Sequence, residues 1–221
     1  MLLNIHAHHR IKQDGEQIIL NRQIPEGEEN IENFELESDG EPISLGIHPW
    51  FIDELNYKLQ IDKLVELAKN QSVRLIGECG LDRLKGPNLQ LQEEVFIKQI
   101  RIAEDLRKPV IIHCVRCFSE LVSIKKIIRP KVPMIVHGFN QNEQIAKQLI
   151  EKGFYLSIGD AVLKDDSNAA KVVAEIPVNQ LFIETDDKEV SIKSIYEKIA
   201  EIKQISIEEL EQIVFENYLS L

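Results

Sequence analysis

Six short apolar runs in this chain each lead into a histidine, a glutamate or an aspartate: LLNIHAHH, PISLGIH, VRLIGECGLD, PVIIHC, PMIVHG and LFIETDD. Between most of them lie stretches with apolar residues at helical spacing. Strand and helix alternating this often calls for right-handed crossovers and so for a parallel sheet. The strand-like runs are almost wholly apolar, as strands covered on both faces must be. Counting EQIILNRQI gives eight strands, and polar ends spread through the whole chain reach one mouth only if the sheet closes. The pattern therefore predicts an α/β fold, a somewhat distorted (β/α)8 TIM barrel.

Helices are expected over Asp53–Asn70, with Leu55, Leu59, Leu64 and Leu67 as the apolar positions, and over Leu89–Lys108, ended by Pro109. In the second, the stripe is Leu91, Val95, Ile97, Ile100, Ile102, Ala103 and Leu106. Further helices are expected over Phe118–Ile128, Asn142–Lys152 and Asn168–Glu175, with one or two over Ser191–Leu221. FYLSIGDAVL reads as a strand. From Arg10 to Pro42 everything outside EQIILNRQI is acidic and punctuated by Gly and Pro, so the helix after the first strand is missing or replaced by loop. At 221 residues and 43% hydrophobic, one domain spanning 1–221 suffices.

A formal charge of −11 argues against a broad basic surface, so any phosphate must be held locally. Three cysteines form no disulfide framework, and Cys114-Val115-Arg116-Cys117 lacks the second pair that a zinc site needs. The first residues do not make a signal peptide and no run of about eighteen apolar residues exists, so no membrane span and a cytoplasmic location are expected.

Alternate residues of a strand share a face. By that count His6 pairs with His8, Ile76 with Glu78, Ile111 with His113, Ile135 with His137, and Phe182 with Glu184 and Asp186, each candidate being the last inward residue of its strand. Four imidazoles with two carboxylates at one depth suit one or two divalent ions. Glu78, with two oxygens, is the choice to span a pair. The plainer readings are two incidental histidines in HxH, core histidines at 113 and 137, and Glu78 paired to Arg74. An unpaired buried carboxylate costs on the order of several kcal/mol, which favours a cation. His9 points away from the other two.

In this order, HxH, GIHP, GECGLD, VIIHC, VHGF and IETD resemble the TatD-type metal-dependent deoxyribonucleases, a branch of the amidohydrolase-like barrels, from end to end of the chain. The resemblance implies that His6, His8, Glu78 and Asp186 hold one metal and that Glu78, His113 and His137 hold another, with Zn, Mg, Mn and Co all admissible. It implies Asp186 and Glu78 as catalytic residues, with Asp186 orienting the attacking water. His48 either caps a turn or contacts substrate phosphate. Arg83 and Arg116, with Lys85 and Lys164, are the cations offered for phosphate. Asp82 ties down its loop or touches a ligand, and Glu184, one layer below Asp186, orients a ligand histidine. Trp50 and Phe51 pack, or stack a base.

The chain departs from the family at Asn4, where Asp is usual, at His9, at Val115, where Arg is usual, at Arg83 after GLD, and at Lys188, where Pro is usual. The substrate implied is DNA ends or short oligonucleotides. The same ligands could instead serve a small amide, ester or lactone, and the altered outer residues admit a non-catalytic binding protein on the same barrel.

Overall fold

The computed structural model describes residues 1–9, 15–37 and 40–221. Its elements in chain order are β1 (Leu2–Ala7), β2 (Glu16–Gln23), α1 (Glu28–Glu32), β3 (Ile43–Gly46), α2 (Tyr57–Leu67), β4 (Val73–Asp82), α3 (Leu89–Leu106), β5 (Val110–Val115), α4 (Phe118–Ile128), β6 (Met134–Val136), α5 (Glu143–Glu151), β7 (Tyr155–Ile158), α6 (Asn168–Val173), β8 (Leu181–Ile183), α7 (Ile192–Lys203) and α8 (Ile207–Leu219). Eight parallel strands stand in the order β1 to β8. Ala7 bridges Asp186 just beyond β8, so the first strand neighbours the last. This is the (β/α)8 barrel that the alternation predicts. The chain sorts into two compact units, Met1–Leu20 with Ile135–Leu221, and Asn21–Met134.

In the first unit every residue of β1 is buried, and the helices of the chain's end are fastened to it. Tyr196 of α7 is fully buried, its hydroxyl donating to Leu3 O at 2.8 Å and accepting from Leu3 N at 3.1 Å. Asn217 of α8 donates to Val178 O and Leu181 O at 2.8 and 3.0 Å, holding the entry to β8. Asn4 joins three strands or their ends. Its amide donates to Glu16 Oε1 at 2.9 Å and to Thr185 Oγ1 at 2.8 Å, while its oxygen accepts from Thr185 N at 3.1 Å. The expected strand FYLSIGDAVL stops at Ile158. Gly159 turns the chain into a 3₁₀ turn over Asp160–Leu163, closed by Val162 N on Gly159 O at 3.2 Å.

In the second unit, buried glutamines on the helices read the peptide groups of the strands. Gln99 accepts from Ile47 N at 2.8 Å and donates to Ile47 O at 3.0 Å, and Gln92 does the same for Asp82 at 2.7 and 3.0 Å. The buried face of α3 is accordingly Gln92, Val95, Phe96, Gln99, Ile100, Ile102 and Ala103, whereas Leu91, Ile97 and Leu106 of the expected stripe are only half-buried. The helix expected from Asp53 starts at Tyr57, because the Asp53 carboxylate is spent on a turn: it accepts from Leu55 N, Asn56 N and Gly27 N. Leu55 is 91% exposed rather than inward. The acidic stretch expected as loop contains α1, with Ile31 fully buried. Residues 10–14, where the missing helix was sought, lie outside the described residues.

Strands β4 and β5 approach so closely that side chains are barred. A Cβ on Gly80, whose φ is +145°, would lie 2.0 Å from His113 O, and one on Gly77 2.3 Å from Ile111 O. Gly80→Ala should therefore cost about 3 kcal/mol, read as a lower urea midpoint at unchanged m. Asn4→Asp, the family's residue, should cost on the order of 3 kcal/mol at pH 7. It removes two donors and sets a second carboxylate against Glu16. Repulsion raises the folded-state pKa of that pair. The repulsive part of the deficit against the unsubstituted protein is then complete above the raised value and is lost as pH falls toward about 4, so the deficit narrows, which urea titrations at several pH values would test.

Candidate metal centre

In the first unit the pairing of β1 with the segment after β8 brings three side chains together. Asp186 N donates to His6 O and His8 N donates to Asp186 O, both at 3.0 Å. Asp186 itself is left-handed, with φ 54°, a conformation that aspartate tolerates better than most residues. Its Oδ1 lies 3.3 Å from His8 Nε2 and 3.5 Å from His6 Nε2. Strand alternation does not carry this arrangement as the sequence count supposed. β8 ends at Ile183, β1 ends at Ala7, and the β1–β2 register shifts between Asn4 and Ala7.

The His6 ring centroid is 5.0 Å from that of His8 and 4.5 Å from that of His137. His137, just past β6, has Nδ1 3.2 Å from Glu184 Oε1, which also accepts from Gly138 N at 2.7 Å. His6, His8 and Asp186 each offer a ligand atom within 4.8 Å of the others, and so do His137, Glu184 and Asp186. Burial alone would raise the Asp186 pKa, but hydrogen bonds from His6 and His8 outweigh it and hold the carboxyl well below the usual range. Glu184 is fully buried and its Oε2 has no hydrogen-bond partner among the described residues. Such an oxygen is costly unless a cation or donor meets it. The imidazoles and carboxylates around it are the donor set that divalent ions take. The cluster can bind metal.

In the second unit Glu78, 2% exposed, places one oxygen against two rings, 2.9 Å from His113 Nδ1 and 3.1 Å from His48 Nε2. Ligand atoms of these three also lie within 4.8 Å of one another. Glu78 is not at a strand end, since β4 runs on to Asp82 with a register shift between Ile76 and Cys79. Its amide donates to Asn21 Oδ1 at 2.9 Å, which also accepts from Ser44 Oγ at 3.1 Å. Arg74, offered as its plainer partner, is exposed.

His113 Nε2 lies 3.0 Å from Asp82 Oδ2, which also accepts from Trp50 Nε1 at 2.6 Å. Asp82 Oδ1 accepts from Leu84 N and Lys85 N at 2.8 and 3.2 Å, so this carboxylate both ties its loop and touches a histidine. Burial alone would raise its pKa, but the Trp50 and His113 hydrogen bonds hold it lowered. His48 Nδ1 caps the 3₁₀ turn Pro49–Phe51 by accepting from Trp50 N at 3.1 Å.

The expected phosphate contacts are arranged unequally. Arg83 is paired to Glu120 and its Nε donates to Arg116 O at 3.0 Å, while the Arg116 side chain is exposed. His9 is exposed and lines, with Asn4, Glu16, Thr185, Asp186 and Lys188, a cavity of about 160 Å³. Cys79, Cys114 and Cys117 are free thiols, and burial raises the pKa of each. Gln92, Gln99 and Asn21 escaped the sequence reading, although Gln92 and Gln99 stand seven apart on the stripe of Val95 and Phe96, a signal that places them inward. No helix of the described residues is long and apolar enough to cross a membrane.

The chain is similar to known proteins in sequence and in fold. An uncharacterized metal-dependent hydrolase of Bacillus subtilis, YabD, is 32% identical over 192 residues, 79% of this chain and 74% of that one. A protein of Citrobacter koseri described as the 3'-5' ssDNA/RNA exonuclease TatD is 30% identical over 145 residues, 64% of this chain and 55% of that one. The crystal structure of YJJV, a TatD homologue from Escherichia coli, superposes with a TM-score of 0.79 over 98% of this chain and 95% of that one at 21% identity, a likeness of fold. The model of the TatD related DNase family matches residues 7–221, and the chain belongs to that family, as a metal-dependent hydrolase.

Proposed function

We propose that this hydrolase is a phosphodiesterase acting on DNA ends or short single-stranded oligonucleotides. The observation that carries the reading is Asp186 held between His6 and His8 by reciprocal backbone hydrogen bonds, with His137 and a buried, half-satisfied Glu184 beside it. The Citrobacter koseri relative, described as an exonuclease, supports the substrate class. The ligands we assign are His6, His8, His137 and Asp186 in the first unit, and Glu78 and His113 in the second. A divalent ion held by such ligands polarises a phosphate and lowers the pKa of a water molecule.

The remaining work falls to the chain itself. Asp186 stays ionised at neutral pH, so it orients the attacking water rather than storing a proton. Glu184 turns His137, and Asp82 turns His113, by taking one ring nitrogen of each. A second reading, hydrolysis of a small amide, ester or lactone, draws on two observations: Arg83 is already matched by Glu120, and the formal charge is −11.

A panel decides between them. Protein loaded with Mg²⁺, Mn²⁺, Co²⁺ or Zn²⁺ is expected to degrade single-stranded DNA and to leave amides and lactones untouched, and turnover of only the latter would reject the nuclease. Asp186→Asn should lower DNA turnover at least about a thousandfold. Glu184→Ala, which removes the carboxylate beside His137 Nδ1, should weaken divalent-ion affinity about 10- to 100-fold in a metal titration read by calorimetry. Unchanged affinity would remove Glu184 from that role.

A further inference from the structure

The side chains assigned to metal are histidines and carboxylates, and none of them can select a phosphodiester by charge. In the second unit a line of contacts leads away from them to a cation. His113 Nε2 meets Asp82 Oδ2 at 3.0 Å, the same oxygen accepts the Trp50 indole N–H at 2.6 Å, and Lys85 Nζ sits 3.5 Å from the centroid of the Trp50 ring. The Trp50 ring lies 5.6 Å from that of His113 and 4.8 Å from that of His48. Asp82 Oδ1 also takes the Lys85 amide at 3.2 Å, so one carboxylate fixes both the indole and the backbone that carries the lysine.

Lys85 differs from the other cations offered for phosphate. Arg83 has its charge met by Glu120; Arg116 and Lys164, like Lys85, lie outside the ion pairs of the described residues, but of these three only Lys85 rests on an aromatic ring. An ammonium resting on an indole face keeps its full charge and a limited set of positions, so little freedom is left to lose when an anion arrives. Phe51, 38% exposed with its ring 6.4 Å from Trp50, continues the aromatic surface.

We propose that Lys85 and Trp50 form a nucleotide-binding step beside the His48, Glu78 and His113 cluster. The ammonium moves off the indole to pair with a phosphate flanking the scissile one, and the exposed indole face stacks the adjoining base of a single strand. The proposal rests on the phosphodiesterase reading and names the residues that would restrict it to oligonucleotides.

Trp50 is the sole tryptophan, so its emission reports the event directly. The 221-residue protein in EDTA is titrated with a six-residue oligothymidylate at several salt concentrations, and likewise with a peptide nucleic acid of the same bases, which lacks phosphate. DNA should quench the emission with an affinity that falls as salt rises, and the peptide nucleic acid should bind more weakly and without salt dependence. Lys85→Met should weaken DNA binding about two- to fivefold and reduce the slope of log K against log salt by about 0.7, the share of one phosphate contact on a single strand, while Lys85→Arg retains both. No quenching of the unsubstituted protein, equal affinity and slope in Lys85→Met, or equal quenching by the peptide nucleic acid would each overturn the proposal. If the unsubstituted protein degrades DNA while Lys85→Met binds identically, only this inference falls; if it neither binds nor degrades DNA, the phosphodiesterase reading falls with it.

Discussion

Two peptide hydrogen bonds join the two ends of the barrel's chain: Asp186 N to His6 O and His8 N to Asp186 O, each 3.0 Å long. They make Asp186 an extra rung between the first strand and the last. Because backbone groups buried in a sheet must be paired, the rung persists irrespective of what the side chains do. Three ligand-type side chains follow from it. Asn4 supports the same rung one layer lower, its amide and oxygen both engaged by Thr185. Tyr196 then seats α7 on Leu3, so the apolar packing of the last helices bears on the strand that presents His6.

The second unit uses a different device for the same end. Its histidines are oriented by carboxylates, and those carboxylates stand on backbone that buried amides hold in place. Gln92 reads both peptide groups of Asp82, Gln99 those of Ile47 beside His48, and Asn21 the amide of Glu78. Each such amide is a polar group placed in the core, tolerable only because donor and acceptor are both met by the C=O and N–H of one residue. Asn21 is the exception, since its Nδ2 is buried without a partner among the described residues. Its orientation is nonetheless forced, because the Glu78 N–H can only donate and so requires the amide oxygen.

Much of the fold is legible in the sequence because apolar runs and helical spacing are local properties. Elements failed where a side chain took over backbone duty. Asp53 satisfies three amides in a turn and so delays α2 to Tyr57; β7 differs for another reason, ending at Ile158, five residues before its apolar composition does, where the backbone closes a 3₁₀ turn. The apolar count also misread α3, where the inward face includes glutamines that no hydrophobic scale would place there. The candidate ligands His6, His8, Glu78, His113, His137 and Asp186 were nameable from residue type and order, but the alternation offered as the reason does not reach His8, His137 or Asp186, which lie beyond their strands.

By itself the sequence determined the parallel alternation, the number of strands and the identity of the imidazoles and carboxylates near their ends, since period and composition are written residue by residue. Only the tertiary structure decided which oxygen meets which ring, that Asp82 serves a loop, an indole and a histidine at once, that Glu120 takes the charge of Arg83, and that Lys85 rests on Trp50. Those outcomes depend on left-handed residues, register shifts and loop closures. Each is a compromise among groups distant in the chain, and no local pattern encodes it.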